Sequence, residues 1–144
     1  MFLALVWTFV TTVLPIIVSD RDWQPDFYFF ILSRFFLIFP ICILFDYRDR
    51  DDDKIKGIRS LITWMNEMGI RTMFITSITI FFLSTSALLY YHYSLLIVIL
   101  LLIPGIITAA LFGKAERNFS DMLYYFVLDG LMALSSLLTL MVQI

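Results

Sequence analysis

Fifteen consecutive positions, Asp46 to Ser60 (DYRDRDDDKIKGIRS), hold five acids, Asp46, Asp49, Asp51, Asp52 and Asp53, and five bases, Arg48, Arg50, Lys54, Lys56 and Arg59. Carboxylates are ligands for hard divalent cations, and Mg²⁺ commonly shares its shell with substrate phosphates. Guanidinium and ammonium groups pair with phosphate oxygens. Helical residues advance by about 100° each, so on a helix Asp46, Asp49 and Asp53 fall within about 60° of one another. Like charges so spaced repel, and a divalent cation relieves the repulsion. Gly57, four residues past Asp53, suits a left-handed helix stop, and Lys54 and Lys56 suit the last turn before it. The plainer reading is a solvated loop whose charges cancel and whose bases only mark topology.

The elements that must position this patch are apolar. The chain has 144 residues, 61% hydrophobic, 17% aromatic and 15% charged, whereas an ordinary soluble domain carries about 25% charged residues. Composition alone indicates a membrane protein. A net charge of −2 supplies no basic field, so a nucleic-acid partner is not expected. The single cysteine, Cys42, excludes an internal disulfide and any multi-cysteine metal site, and the single histidine, His92, excludes a His-rich one.

A helix needs about 20 apolar residues to cross a hydrocarbon core of about 30 Å. Five segments approach this length: Phe2–Val18, Phe27–Phe45, Ile70–Leu89, Leu95–Phe112 and Met122–Val142. The runs are continuous rather than alternating, which indicates helices and not a barrel. Phe2–Val18 lacks the basic leader of a signal peptide and contains Pro15, so it reads as a membrane helix. Between Leu89 and Leu95 the YYHYS cluster, Tyr90–Ser94, supplies interfacial tyrosines that divide two spans. The expected fold is therefore all-α: one polytopic transmembrane helix bundle of five spans over residues 1–144, with an aspartate-rich loop at 46–69. The second loop (with Arg71 just beyond it) and the fourth hold eight of the ten bases, against one, Arg21, in the first and third. The positive-inside rule places the aspartate-rich loop in the cytoplasm, with Met1 inside and Ile144 outside.

Asp46–Ser60 resembles the second aspartate-rich motif of the UbiA superfamily of intramembrane prenyltransferases. That motif has the form (N/D)xxDxxxD, followed by a basic stretch, a Gly and a basic residue. Here it reads Asp46-x-x-Asp49-x-x-x-Asp53, then Gly57-Ile58-Arg59-Ser60. The wording DRDDD…GIRS looks particularly like the 4-hydroxybenzoate polyprenyltransferase branch, and ALVWTFVTTVLP resembles the fifth span of some bacterial members. The resemblance implies helices five to nine of a nine-helix fold in the cell inner membrane. It implies Mg²⁺ held by Asp49 and Asp53, with Asp46 beside them, and diphosphate contacts from Arg50, Lys54 and Arg59. It also implies transfer of a polyprenyl group from its diphosphate to an aromatic acceptor, as in quinone biosynthesis. Metal and bases would stabilise the leaving diphosphate, where negative charge accumulates. The family's first motif, NDxxDxxxD, has no counterpart in this sequence. The expectation is thus the C-terminal half of an enzyme about twice this length, inactive alone and needing a missing N-terminal half.

Two further readings belong to other classes. One is a non-catalytic membrane protein or subunit whose partner supplies the first motif. The other is an ion transporter gated by Asp46–Asp53, which predicts more intramembrane acids than Asp129 alone. A CDP-alcohol phosphotransferase would need DGxxAR and GxxxDxxxD, and neither is present. Elsewhere, Arg34 and Asp129 are expected to pair inside the membrane. Trp7, Trp23 and Trp64 read as interface or packing aromatics, and the phenylalanines of Phe27–Phe39 as lipid-facing or lining a prenyl tunnel. Cys42 reads as an inert buried thiol, and His92 lies on the side opposite the patch. Pro40 and Pro104 are expected to kink their helices. Trp64–Gly69 reads as a short interfacial helix that covers the site.

Overall fold

The computed structural model describes residues 2–19, 22–58 and 61–115, together with 127, 128, 130, 131, 133, 134 and 137. The described residues are mostly helical, with no strand among them. In hydrocarbon every backbone N–H and C=O must find a partner within the chain, and a helix satisfies them locally. α1 (Phe2–Thr8) continues through a π-helical turn, Phe9–Val13, into α2 (Leu14–Val18). α3 spans Pro25–Ile55, α4 Leu61–Trp64, α5 Glu67–Ala87 and α6 Leu95–Ala115, with a 3₁₀ turn at Leu88–Tyr91 between the last two. Three helices, α3, α5 and α6, are long and apolar enough to cross a membrane, and Phe2–Val18 forms a shorter apolar helix. The fifth expected span, Met122–Val142, and the Arg34–Asp129 pair fall largely or wholly outside the described residues.

Proline explains the π turn. In a regular helix the Pro15 ring would meet the carbonyl four residues back, and its nitrogen donates no hydrogen bond. Widening the preceding turn moves that contact: Leu14 N–H donates to the Phe9 carbonyl, five residues back. Hydroxyls inside the helices are satisfied the same local way. Thr8 donates to the Ala4 carbonyl at 2.7 Å, Ser77 to Met73 at 2.7 Å and Thr108 to Pro104 at 2.8 Å.

α3 is the central element and touches α1, α4, α5 and α6. Neighbours in sequence run antiparallel, as shown by which ends meet. Ala4 belongs to the same buried cluster as Ile38, Ile41 and Cys42. At the other end of that pair, Val13, Tyr28 and Phe29 line one apolar groove. Phe74, early in α5, stacks on Phe112, late in α6, at 4.2 Å between centroids. Tyr93 Oη donates to Asp26 Oδ2 at 2.6 Å, and Asp26 is buried. That bond joins the segment between α5 and α6 to the first turn of α3 at one end of the bundle, as alternating spans require. His92 lies at this end, away from the aspartates, in a left-handed conformation with φ 64°.

Among the phenylalanines of Phe27–Phe39, Phe30 and Phe39 are buried, and Phe27, Phe29, Phe35 and Phe36 are partly exposed, with Phe29 and Phe35 lining an open apolar groove. Cys42 is buried, as expected. Pro40 and Pro104 lie inside α3 and α6, whose helices continue through them. The Trp64–Gly69 helix is corrected: α4 ends at Trp64, and α5 begins at Glu67. Asn66 separates them because its side chain caps α5, accepting from Gly69 N–H at 2.8 Å.

α5 and α6 approach closely at Gly105. A Cβ there would overlap the edge of the Phe81 ring at Cε1, with Cδ1 at 2.6 Å and Cζ at 2.9 Å. Phe81 is 1% exposed and cannot swing away. Gly105→Ala should therefore lower stability by about 1–3 kcal/mol, the usual cost of overpacking. Chemical unfolding in detergent checks this, and adding Phe81→Leu should recover part of the loss.

Candidate functional site

The aspartate-rich segment is helical because α3 does not stop at the end of its apolar run. It continues from Phe45 through Asp46, Asp49 and Asp53 to Ile55. It ends by the Gly57 mechanism. Gly57 has φ +69°, its N–H donates to the Lys54 carbonyl at 3.2 Å, and Ile58 N–H donates to the Asp53 carbonyl at 2.9 Å. Those two bonds form a Schellman motif, which satisfies two of the last carbonyls of the helix. Lys54 lies in the last turn, where its charge opposes the negative end of the helix dipole.

The three carboxylates meet different surroundings. Asp49 is forked by its neighbour Arg48, with Nε to Oδ1 at 2.7 Å and Nη2 to Oδ2 at 3.3 Å. Arg48 also lies over the Phe45 ring, at 5.9 Å from its centroid. Asp46 and Asp53 are half-buried, and neither carboxylate forms a hydrogen bond or ion pair among the described residues. Asp51 is exposed and meets Lys54 at only 3.9 Å, a rim contact of little energetic weight. The side chain of Asp52 and all of Arg59 lie outside the described residues.

Arg50 is committed to the connector. Its Nη2 donates to the Met65 carbonyl at 2.9 Å, across fifteen positions of sequence. It sits four residues after Asp46 and three before Asp53, yet it bonds to neither. The guanidinium therefore fastens the α4–α5 junction to α3 and leaves both carboxylates un-neutralised by it.

A helix rises about 1.5 Å per residue, so Asp46 and Asp53 are separated by about 10.5 Å along the axis. Mg²⁺ binds oxygen at about 2.0–2.1 Å, so one ion cannot reach all three aspartates of this helix. Accordingly, no group of three His, Cys, Asp or Glu side chains able to hold one metal occurs among the described residues. Adjacent members, Asp46 with Asp49 or Asp49 with Asp53, remain suited to share an ion if Arg48 releases Asp49. The donor set thus fits a hard cation chemically and supplies only part of its shell.

Sequence reasoning missed a cleft beside this face. Tyr47, Asn66, Glu67, Met68 and Arg71 enclose an open volume of about 670 Å³ where α3 leaves the apolar zone and α5 enters it. The signal was present as an acid and a base four apart at the start of α5. Between α1 and α3, nearer the opposite end, lies the apolar groove of about 700 Å³, lined by residues including Leu5, Phe9, Tyr28, Leu32 and Phe35.

No family model, curated protein or solved structure matches this chain.

Gly57 offers a test of how the site is built. Nothing lies within 4 Å of a Cβ placed there, so only the backbone opposes a side chain. Gly57→Ala should cost about 1 kcal/mol through the left-handed conformation, and Gly57→Asn less. Hydrogen exchange at residues 53–58 should quicken in Gly57→Ala while the membrane part of α3 keeps its protection.

Proposed function

We propose that the chain contributes one half of a UbiA-type intramembrane prenyltransferase site. In this reading neighbouring carboxylates of the Asp46, Asp49 and Asp53 face, Asp46 with Asp49 or Asp49 with Asp53, present oxygen ligands to Mg²⁺ bound to the diphosphate of a polyprenyl donor. When bound, Mg²⁺ would supply charge stabilisation to the departing diphosphate. Lys54 and Arg59 would approach the phosphate oxygens, and Arg50 would join them on leaving Met65. The acceptor would be an aromatic compound, and the opposing carboxylates would come from a segment carrying the NDxxDxxxD motif.

The observation that carries this reading is the rigid extension of α3. A single helix delivers carboxylates on one face just beyond an apolar run, and a glycine stop ends it four residues later. Hydrocarbon and phosphate chemistry thus meet within two helical turns, the arrangement an amphiphilic diphosphate requires. The basic residues around the patch favour a cytoplasmic location for it, in the inner membrane, with the N-terminus inside and the C-terminus outside.

One observation favours a second reading, a non-catalytic membrane subunit. Arg48 already neutralises Asp49, and the described residues complete no metal shell. In that case the patch serves assembly with a partner.

Mn²⁺, a spectroscopic substitute for Mg²⁺, separates the two. The full chain in detergent should bind Mn²⁺ weakly in the presence of inorganic diphosphate, and Asp49→Asn or Asp53→Asn should lower the affinity about ten-fold or more, as loss of a charged ligand does. The same chain, given Mg²⁺, a polyprenyl diphosphate and 4-hydroxybenzoate, should show no turnover alone. Mn²⁺ binding indifferent to both substitutions would favour the subunit reading, and turnover by the purified chain would refute the half-site.

A further inference from the structure

The cleft at the start of α5 has features that the prenyl reading does not use. Glu67 and Arg71 stand four residues apart, acid first, which is the favourable order for a helical ion pair. They form none, and neither has a hydrogen bond among the described residues. Arg71 is drawn the other way, with its guanidinium 6.0 Å from the centroid of the Phe112 ring, itself stacked on Phe74. The separated charges line one cleft with Tyr47, Asn66 and Met68. Its depth is set by sequence position. Tyr47 lies two residues past the last apolar residue of its run, Phe45, and Glu67 opens α5. A polar cleft at that level faces the headgroup layer of a bilayer. Below it, Met68 is 78% exposed, and Ile75, seven residues on and on the same helical face, is 54% exposed.

We propose that this cleft binds the headgroup of a zwitterionic phospholipid carrying a primary ammonium. Arg71 takes the phosphate, by charge-assisted bonds from its fork of N–H groups. Glu67 accepts from the ammonium, which has three donors and therefore suits a carboxylate. A trimethylated headgroup has no N–H to donate and calls for an aromatic cage, of which Tyr47 would be only one wall. An anionic headgroup that ends in glycerol offers Glu67 only neutral hydroxyl donors and leaves its charge unbalanced. The glycerol and acyl chains run over Met68 and Ile75 into the hydrocarbon. The site uses none of the aspartates of the neighbouring face and holds whether or not the chain takes part in prenyl transfer.

Native mass spectrometry of the full chain tests this. The protein is released from mixed micelles offering equal amounts of dioleoyl phosphatidylethanolamine, phosphatidylcholine and phosphatidylglycerol. The wild type should retain the ethanolamine lipid in preference to the other two by about five-fold or more, the order set by one charge-assisted contact at an exposed site. Arg71→Gln should lower its retention by a similar factor. Glu67→Gln should keep retention and erase the preference. Both positions are exposed, so both variants should keep the helical circular dichroism of the wild type. Free phosphoethanolamine at millimolar concentration should displace little of the lipid, because it lacks the acyl contacts. Equal retention by wild type and Arg71→Gln, a preference that survives Glu67→Gln, or ready displacement by the free headgroup would overturn the proposal.

Discussion

The helix α3 runs continuously from Pro25 to Ile55, its hydrogen-bond ladder lacking only the bond that Pro40 cannot donate, and the other features of the protein depend on it. In hydrocarbon the ladder is compulsory, because no water is present to satisfy a broken turn. Beyond Phe45 it is optional, since Asp and Arg residues in water could equally form a loop. The chain keeps the ladder for ten more residues, so the angular relation among Asp46, Asp49, Arg50 and Asp53 is fixed by the same helix that crosses the bilayer. The Schellman bonds at Gly57 hold the far end against fraying. A loop of the same composition would carry the same charges without a shared direction.

The remaining contacts anchor that helix at both ends. Tyr93 grips Asp26 at one end, and Arg50 grips the Met65 carbonyl at the other. Both bonds reach across the sequence, and both hold a connecting segment against α3. Between them the packing is mostly apolar, with Leu37, Ile41 and Leu44 of α3 almost completely buried, though Ser33 and Arg34 of the same helix are buried as well. Packing of this kind in a membrane depends on close approach rather than on expulsion of water. The open face of Gly105 against Phe81 is the clearest instance, since a single methyl group would separate α5 from α6 there.

Local features were legible in the sequence and distant ones were not. The apolar runs located α5, α6 and the start of α3 to within a few residues, because length and hydropathy act on contiguous residues; the expected loop from Asp46 is instead helix as far as Ile55, ten residues past the run. Gly57 was legible as a stop for the same reason: the chemistry of the left-handed cap belongs to one position and its near neighbours. The Asp46, Asp49 and Asp53 face followed from helical period alone. By contrast, the Arg50–Met65 and Tyr93–Asp26 bonds depend on which helices lie side by side, and no spacing rule states that. The Arg48 fork on Asp49 was within reach, as the two are adjacent. Charge counting treated the bases as phosphate ligands, however, and overlooked competition from the nearest carboxylate. The break between Trp64 and Glu67 turns on the Asn66 cap, a signal weaker than the apolar residues around it.

Helical geometry also limits what the aspartate face can accomplish on its own. One helix places successive ligands of a face about 4.5–6 Å apart along its axis, so it can offer an ion two neighbouring carboxylates at most. The rest of an octahedral shell must come from water, from phosphate oxygens or from another segment. Arg48 holds Asp49 by a short fork, so any cation must also displace a neighbour that is already in place. A diphosphate would ease that exchange, because its oxygens can receive the displaced guanidinium while the metal takes the carboxylate. Metal and anion would then bind with mutual assistance, each weak without the other. Such coupling follows from the order of charges along α3, in which every carboxylate of the face has a basic residue within four positions.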